Sequence, residues 1–316
     1  MTKLKPALTY DEQIDRLKSV HNLLIADDAA ALEILKRVNY YRLSAYGIGL
    51  SQKDDKEKYI DGITLEHIYR LYEFDSMFRN SLVHVIEQLE IQLRTQISNY
   101  LALKYGSEGY IYPGNFVDKK MEKTGASIHE SIIESFHKEC YHQRNAPFVR
   151  HHMEKYEGHF PVWVAIELFT FGNLSSLYSI MIPEDRKAIA NLYNTKPCYL
   201  GSWILALVEI RNICAHYSRL YNMPLKQSPH LYSENQKYRT GRSNKVFPAL
   251  LSIKRMLNSD DRWIDFETQL EAIIDEYQDV IQLPFIGFPA EWKAVLSNGN
   301  KVPAIKPSQE RSCEGQ

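Results

Sequence analysis

The 316-residue sequence predicts an all-α fold, and three observations predict it. Apolar residues recur at helical spacing over long stretches, most clearly from Leu65 to Leu101. Helix-start signals stand ahead of such stretches: Thr9 with Glu12, Thr64, Pro161, and Pro183-Glu184-Asp185. No window of four to eight residues alternates with period two, and neither a strand-helix-strand rhythm nor a GxGxxG fingerprint occurs.

Thr9-x-x-Glu12 is a capping box that opens a helix to about Leu24, and a short helix follows from Ala29 to Val38. An aromatic-rich stretch, NYYRLSAYGIGL, leads to the charge run Lys53 to Asp61, which reads as a solvated loop. From Thr64 helical periodicity persists for some forty residues, as one long helix or two nearly in line. Residues 113–127 read as loop, and helices follow at about 127–141 and 146–156. Pro161 starts a helix leading into VWVAIELFTFGNLSSLYSIM, and Pro183 starts a short one. The most apolar helix is predicted from Tyr199 to Asn222, stopped by Pro224. A polar loop covers 226–245, Ser259-Asp260-Asp261 caps a last long helix to about Tyr277, and Pro289 begins a short one. The apolar-poor end reads as a flexible tail. The domain reading is an N-terminal helical segment (1–62), a main helical domain (63–285) and a short helix with tail (286–316).

Hydrophobic residues make up 44% and charged residues 24%, enough apolar material for a large core. Neither a signal peptide nor an uninterrupted apolar run of membrane-spanning length is present, which predicts a cytosolic protein with no membrane partner. The four cysteines form no C-x-x-C pair, against both a disulfide framework and a cysteine-rich zinc site. Six histidines between His129 and His159 lack metal-ligand spacing, so no metal and no cofactor is expected. A net charge of −1 excludes a general basic field for nucleic acid, so any RNA contact must be local. The 21 tyrosines could stack on unpaired bases, or simply occupy half-buried helix positions.

The segment WILALVEIRNICAHYSRLYN interrupts an apolar helix with Glu209, Arg211, Asn212, His216 and Arg219. On a continuous helix Asn212 and His216 share a face, which Glu209 and Arg219 extend. Arg211 lies about 140° around the axis from His216, so the two meet if the arginine wraps back or a second helix, as in a dimer, completes the cleft. An imidazole can exchange a proton with a ribose 2′-hydroxyl or a leaving 5′-oxygen, and a guanidinium can stabilise the charge gained by the phosphate. The spacing alone is weakly specific. Arg16 to His21 and Arg79 to His84 also match it, and the second, RNSLVH, stays as a secondary candidate.

The flanks separate Arg211 to His216 from these. EIRNICAHYSRLYN resembles the signature of the Abi-like (abortive-infection) protein family. VNYYRLSAY at Val38 to Tyr46, LYEFDSMFR at Leu71 to Arg79, VIEQLEIQLRT at Val85 to Thr95 and PVWVAIELFTFGNLSSLY at Pro161 to Tyr178 agree in the same order. The resemblance covers roughly residues 5–225. That family is similar to the HEPN superfamily (higher eukaryotes and prokaryotes nucleotide-binding), whose R-x(4–6)-H motif forms a metal-independent endoribonuclease site, commonly across a homodimer. The resemblance thus implies a HEPN-like bundle and an antiviral, growth-arresting ribonuclease, with Arg211, Asn212 and His216 matching the motif. Arg219 and Tyr221-Asn222 match its extension, where tryptophan is usual in place of Tyr221. Position 84 is usually apolar in the family.

On the helix predicted after Thr64, Glu87, Glu90 and Arg94 form one stripe. Either an acidic member orients the catalytic Arg or His, or Glu90 and Arg94 are a plain i, i+4 pair. Asn39, Tyr40, Tyr41, Arg42 and Asp75 belong to the resemblance without a derivable role and read as structural. Lys226, Lys237, Arg239, Arg242 and Lys245, against one Glu234, are candidate phosphate contacts or ordinary loop charges. Expected partners are RNA, a second copy of the chain, and an antitoxin or regulatory RNA. The rival reading is a non-catalytic RNA-binding or regulatory module that dimerises through the same helix.

Overall fold

The computed structural model describes residues 6–239, 244–257 and 261–297. The architecture is an all-α multi-helix bundle, as the sequence predicts. Among the described residues extended backbone pairs only at isolated bridges, such as Leu24 with Thr64 and Leu225 with Asn244. Arg242, Ser259, Asp260 and the residues read as a tail lie outside the described residues.

Three short helices come first: α1 (Tyr10–Ser19), α2 (Asp28–Arg37) and α3 (Tyr40–Ser44). The Thr9–Glu12 capping box forms, and the side chains of Asp27 and Asn39 cap the next two by accepting from first-turn amides. Thr64 then caps α4 (Leu65–Tyr105), a single unbroken helix of 41 residues. At 1.5 Å per residue α4 is roughly 60 Å long. Phe74, Phe78, Leu82, Ile86, Leu89, Leu93, Ile97 and Leu101 are fully buried along it, because other helices cover it for most of its length.

The chain continues through α5 (Ile128–His142), α6 (Pro147–Lys155), α7 (Val162–Ala165), α8 (Phe171–Ile180), α9 (Pro183–Asn191) and α10 (Pro197–Ala215). It finishes with α11 (Phe247–Leu257), α12 (Asp261–Glu276) and α13 (Trp292–Ser297). Helices α7, α8, α9, α10, α11 and α12 all touch α4. α12 runs antiparallel to it, with Arg70 bonded to Asp279 and the Glu276 carbonyl at one end and Arg262 to Gln92 at the other.

Three departures from the sequence reading stand out. The helix expected after Pro161 breaks at Phe169 and restarts in α8, because the Thr170 hydroxyl accepts the Asn173 amide at 3.0 Å and caps a new helix. α11 was not predicted: it begins at Phe247-Pro248 with no Ser, Thr, Asp or Asn just before it to signal a start. Most important, α10 ends at Ala215 rather than at Asn222. Tyr217 takes a left-handed φ of +55°, its amide bonds the Cys214 carbonyl and the Ser218 amide bonds the Ile213 carbonyl, which is a Schellman turn. Arg219 therefore does not extend the helical stripe of Glu209, Asn212 and His216.

Among the described residues α10 is the one helix long and apolar enough to cross a membrane by length and composition. It is packed as a core helix instead, against α4, α8, α9 and α11, with Leu200, Trp203, Ile204, Leu207 and Ile210 buried.

Candidate active site

The C-terminal end of α10 and the turn beyond it lie along α4. Contacts run from Glu90, opposite Arg211, back to Asp75, opposite Leu220 and Tyr221. α4 carries two buried i, i+4 ion pairs at these levels, Asp75–Arg79 and Glu90–Arg94. Buried carboxylates persist only where donors surround them, and both do here.

Glu90 joins two guanidinium groups. One oxygen accepts from Arg94, whose guanidinium also donates to the Ile166 carbonyl, and the other lies 3.4 Å from Nε of Arg211. The Glu90 side chain is 10% exposed and that of Arg211 35%, so the carboxylate is anchored inside while the arginine side chain stays part-exposed. Arg211 Nη1 also donates to Oδ1 of Asn212 at 3.3 Å. Glu90 therefore pairs with Arg94 along α4 and also reaches Arg211 on α10. Glu87, on the same stripe, is exposed and contacts neither Arg211 nor His216.

His216 is the cap residue just after the helix, with φ −92° and ψ 14°, and its amide bonds the Asn212 carbonyl at 3.0 Å. It is exposed, and among the described residues its ring has no hydrogen-bond partner. An imidazole in this position is open to a ligand rather than sealed in the core.

The turn after His216 is held by groups far away in sequence. Asp75, fully buried, accepts from the Tyr46 hydroxyl at 2.7 Å, Nε of Arg79 at 3.0 Å, the Leu220 amide at 3.0 Å and the Tyr221 amide at 2.6 Å. Arg42 donates to the Tyr217 carbonyl, and Asn222 to the Ile48 carbonyl at 3.0 Å. Asn39 caps α3. Of the residues of the resemblance without a derivable role, Arg42 and Asp75 thus hold this turn, and Asn39 caps the helix that carries Arg42. Burial and the adjacent Asp75 push the Tyr46 phenol well above its ordinary range, so it stays protonated as a donor.

Several expected supporting residues serve the scaffold. Glu209 accepts the amides of Lys226 and Gln227 at 2.8 and 2.6 Å and pins the start of the following loop. Tyr221 is buried against Phe74 and Phe285, and its hydroxyl accepts the Gln282 amide at 2.9 Å. Arg219 is half-buried, its pKa lowered by burial, and its Nη1 has no partner among the described residues. Arg79 is buried in its pair with Asp75, whereas His84 is exposed beside Gln88, so the second R-x4-H match offers no accessible guanidinium.

Among the described loop cations, Lys237 lies 3.9 Å from Glu291 and over the Tyr238 ring. Lys226 and Arg239 are exposed, and Lys245 is partly buried, its pKa lowered by burial and then by nearby Arg219. Of the central histidines, His129 is buried on the Tyr110 carbonyl, His152 stacks on Phe160 and His159 pairs with Glu108. Among the described residues no three His, Cys, Asp or Glu side chains are grouped to hold a metal. Burial pushes the Cys214 thiol up to about 12, which makes it a core residue beside Arg79 rather than a nucleophile.

Fold and site together define an all-α protein that offers a carboxylate-anchored guanidinium and an open imidazole from the end of one core helix. The sequence profile of the family described as Abi-like protein matches residues 33–222, so the chain belongs to that family, which associates it with abortive infection. Neither the curated proteins nor the solved structures include a match to the chain.

Proposed function

We propose that the chain is a metal-independent endoribonuclease of the HEPN type, acting in abortive infection. The observation that carries this reading is the arrangement around Arg211. Its guanidinium is anchored by Glu90 yet part-exposed, on the helical turn that ends in the exposed His216. A pre-positioned cation and a free imidazole on the same helix end suit in-line attack of a 2′-oxygen on the adjacent phosphorus. His216 takes the 2′-hydroxyl proton, or gives one to the departing 5′-oxygen, and Arg211 stabilises the charge on the five-coordinate phosphate. The P–O5′ bond breaks, leaving a 2′,3′-cyclic phosphate and a 5′-hydroxyl. No metal is required in this scheme.

A homodimer fits the same reading. Gly201, Leu205, Val208 and Asn212 recur at i, i+4, i+7 and i+11 as a partly open stripe of α10, and Leu205 is 44% exposed. This stripe leads to His216, so pairing of two copies would bring two imidazoles to one cleft, one as base and one as acid.

The test compares wild type with His216→Ala for RNA cleavage and host growth arrest. Loss of both in the variant, with RNA binding retained, is expected. Equal cleavage by the two proteins defeats the assignment, and binding without cleavage by wild type favours a non-catalytic RNA-binding module. Mixing Arg211→Ala with His216→Ala protein then asks whether the site is shared: recovered cleavage is expected of a composite site.

A further inference from the structure

Tyr217, the residue directly after His216, is placed at a backbone position and in a degree of exposure that the fold does not explain. Its φ of +55° lies in the left-handed region, and it occupies the helix-terminating position where glycine is the usual residue because a Cβ is disfavoured there. Packing does not offset that strain: the ring is 69% exposed, and among the described residues it makes no ring contact and its hydroxyl no hydrogen bond. Strained backbone held by its surroundings is a mark of functional positions.

The surroundings do hold it. The Tyr217 amide bonds the Cys214 carbonyl at 3.1 Å, its carbonyl accepts from Arg42, and Asp75 fixes Leu220 and Tyr221 just beyond. The backbone under an exposed aromatic ring is thereby fixed beside the proposed catalytic imidazole. Tyr41, neighbour of Arg42 on α3, is 86% exposed, so the helix that grips the Tyr217 carbonyl carries a second open ring. Net charge is −1, so diffuse attraction to phosphates supplies little affinity and contacts to the bases must supply more.

We infer that Tyr217, with Tyr41 as a second ring, is a stacking platform for an unpaired base flanking the scissile phosphate, which makes single-stranded RNA the substrate class. This rests on the ribonuclease reading above. Duplex bases are stacked on one another and present no free face, whereas splayed single-strand bases stack on protein aromatics.

Binding is measured in a His216→Ala background, with a single-stranded RNA oligonucleotide carrying 2-aminopurine and with the same sequence as a duplex. Tyr217→Gly suits the left-handed backbone and should fold, while weakening single-strand binding roughly 5- to 100-fold, the loss of one stacked base, and relieving 2-aminopurine quenching. Tyr217→Phe keeps the ring and should bind within about twofold of its parent, and duplex affinity should not respond to either change. The inference is overturned by unchanged single-strand binding in Tyr217→Gly, by equal losses in Tyr217→Phe, by no single-strand binding in the parent, or by a changed oligomeric state in Tyr217→Gly. The last outcome would assign the ring to a protein interface. Cleavage by His216-intact protein is scored separately: stacking without cleavage overturns the nuclease reading alone, and cleavage indifferent to Tyr217→Gly at limiting RNA overturns the platform alone.

Discussion

Oδ1 of Asp75 accepts the backbone amide of Tyr221 at 2.6 Å, across 146 residues of sequence. The same oxygen takes the Leu220 amide, while the other takes Tyr46 and Arg79. By collecting amides that a longer α10 would have bonded within itself, this one carboxylate helps to end the helix at the turn where His216 becomes exposed. Fold stability and site geometry therefore meet in one residue of α4.

Asp75→Ala leaves Arg79 buried without a counter-charge and two buried amides without an acceptor, a loss of about 3–5 kcal/mol. Urea unfolding should show the corresponding drop in midpoint. A variant as stable as wild type would show that the cradle contributes nothing.

Glu90→Gln keeps the side-chain volume but removes the charge that anchors Arg211. RNA cleavage should fall about 10- to 100-fold, as when a positioning partner is lost, with RNA binding little changed. In a double-mutant cycle, Glu90→Gln should add almost nothing to Arg211→Ala. Fully additive losses would mean that Glu90 acts through Arg94 and the fold instead.

The exposed His84 carries no role in this account. His84→Ala should leave cleavage intact and change stability by no more than about 0.5 kcal/mol, whereas Arg79→Ala should destabilise by several times that amount. Abolished cleavage in a folded His84→Ala protein would restore the second motif as a site.

Stability should also depend on pH through His67, where burial lowers the pKa below the ordinary histidine value and Nε2 has no partner among the described residues. The unfolded chain then binds the proton more readily than the native one, so this contribution is present above about pH 6.5 and is lost as pH falls through the lowered native value. Denaturation midpoints across that range should decline toward acid, and His67→Gln should flatten the decline. An undiminished slope in His67→Gln would place the titration elsewhere.

Long-range periodicity made α4 legible through its run of buried leucine, isoleucine and phenylalanine, and the Thr9 capping box and the first-turn Pro183 made the starts of α1 and α9 so. The family was legible from the flanks of Arg211 to His216. The end of α10 was not, because its cause is Asp75, far away in sequence, and because a tyrosine rather than a glycine occupies the left-handed position. The partnership of Glu90 with Arg211 was one of two open readings, since spacing on α4 cannot say which helix packs opposite. The scaffold roles of Glu209 and Tyr221 were hidden for the same reason: their partners are backbone amides of later loops.

The central claim is that His216 and Arg211 cut RNA by proton transfer and charge stabilisation without a metal. Its most direct measurement is the chemistry of RNA ends after incubation in EDTA with wild-type, His216→Ala and Arg211→Ala protein. The account predicts 2′,3′-cyclic phosphate and 5′-hydroxyl ends from wild type and none from either variant. Cleavage that stops in EDTA, or that persists with the same ends in His216→Ala, would contradict it.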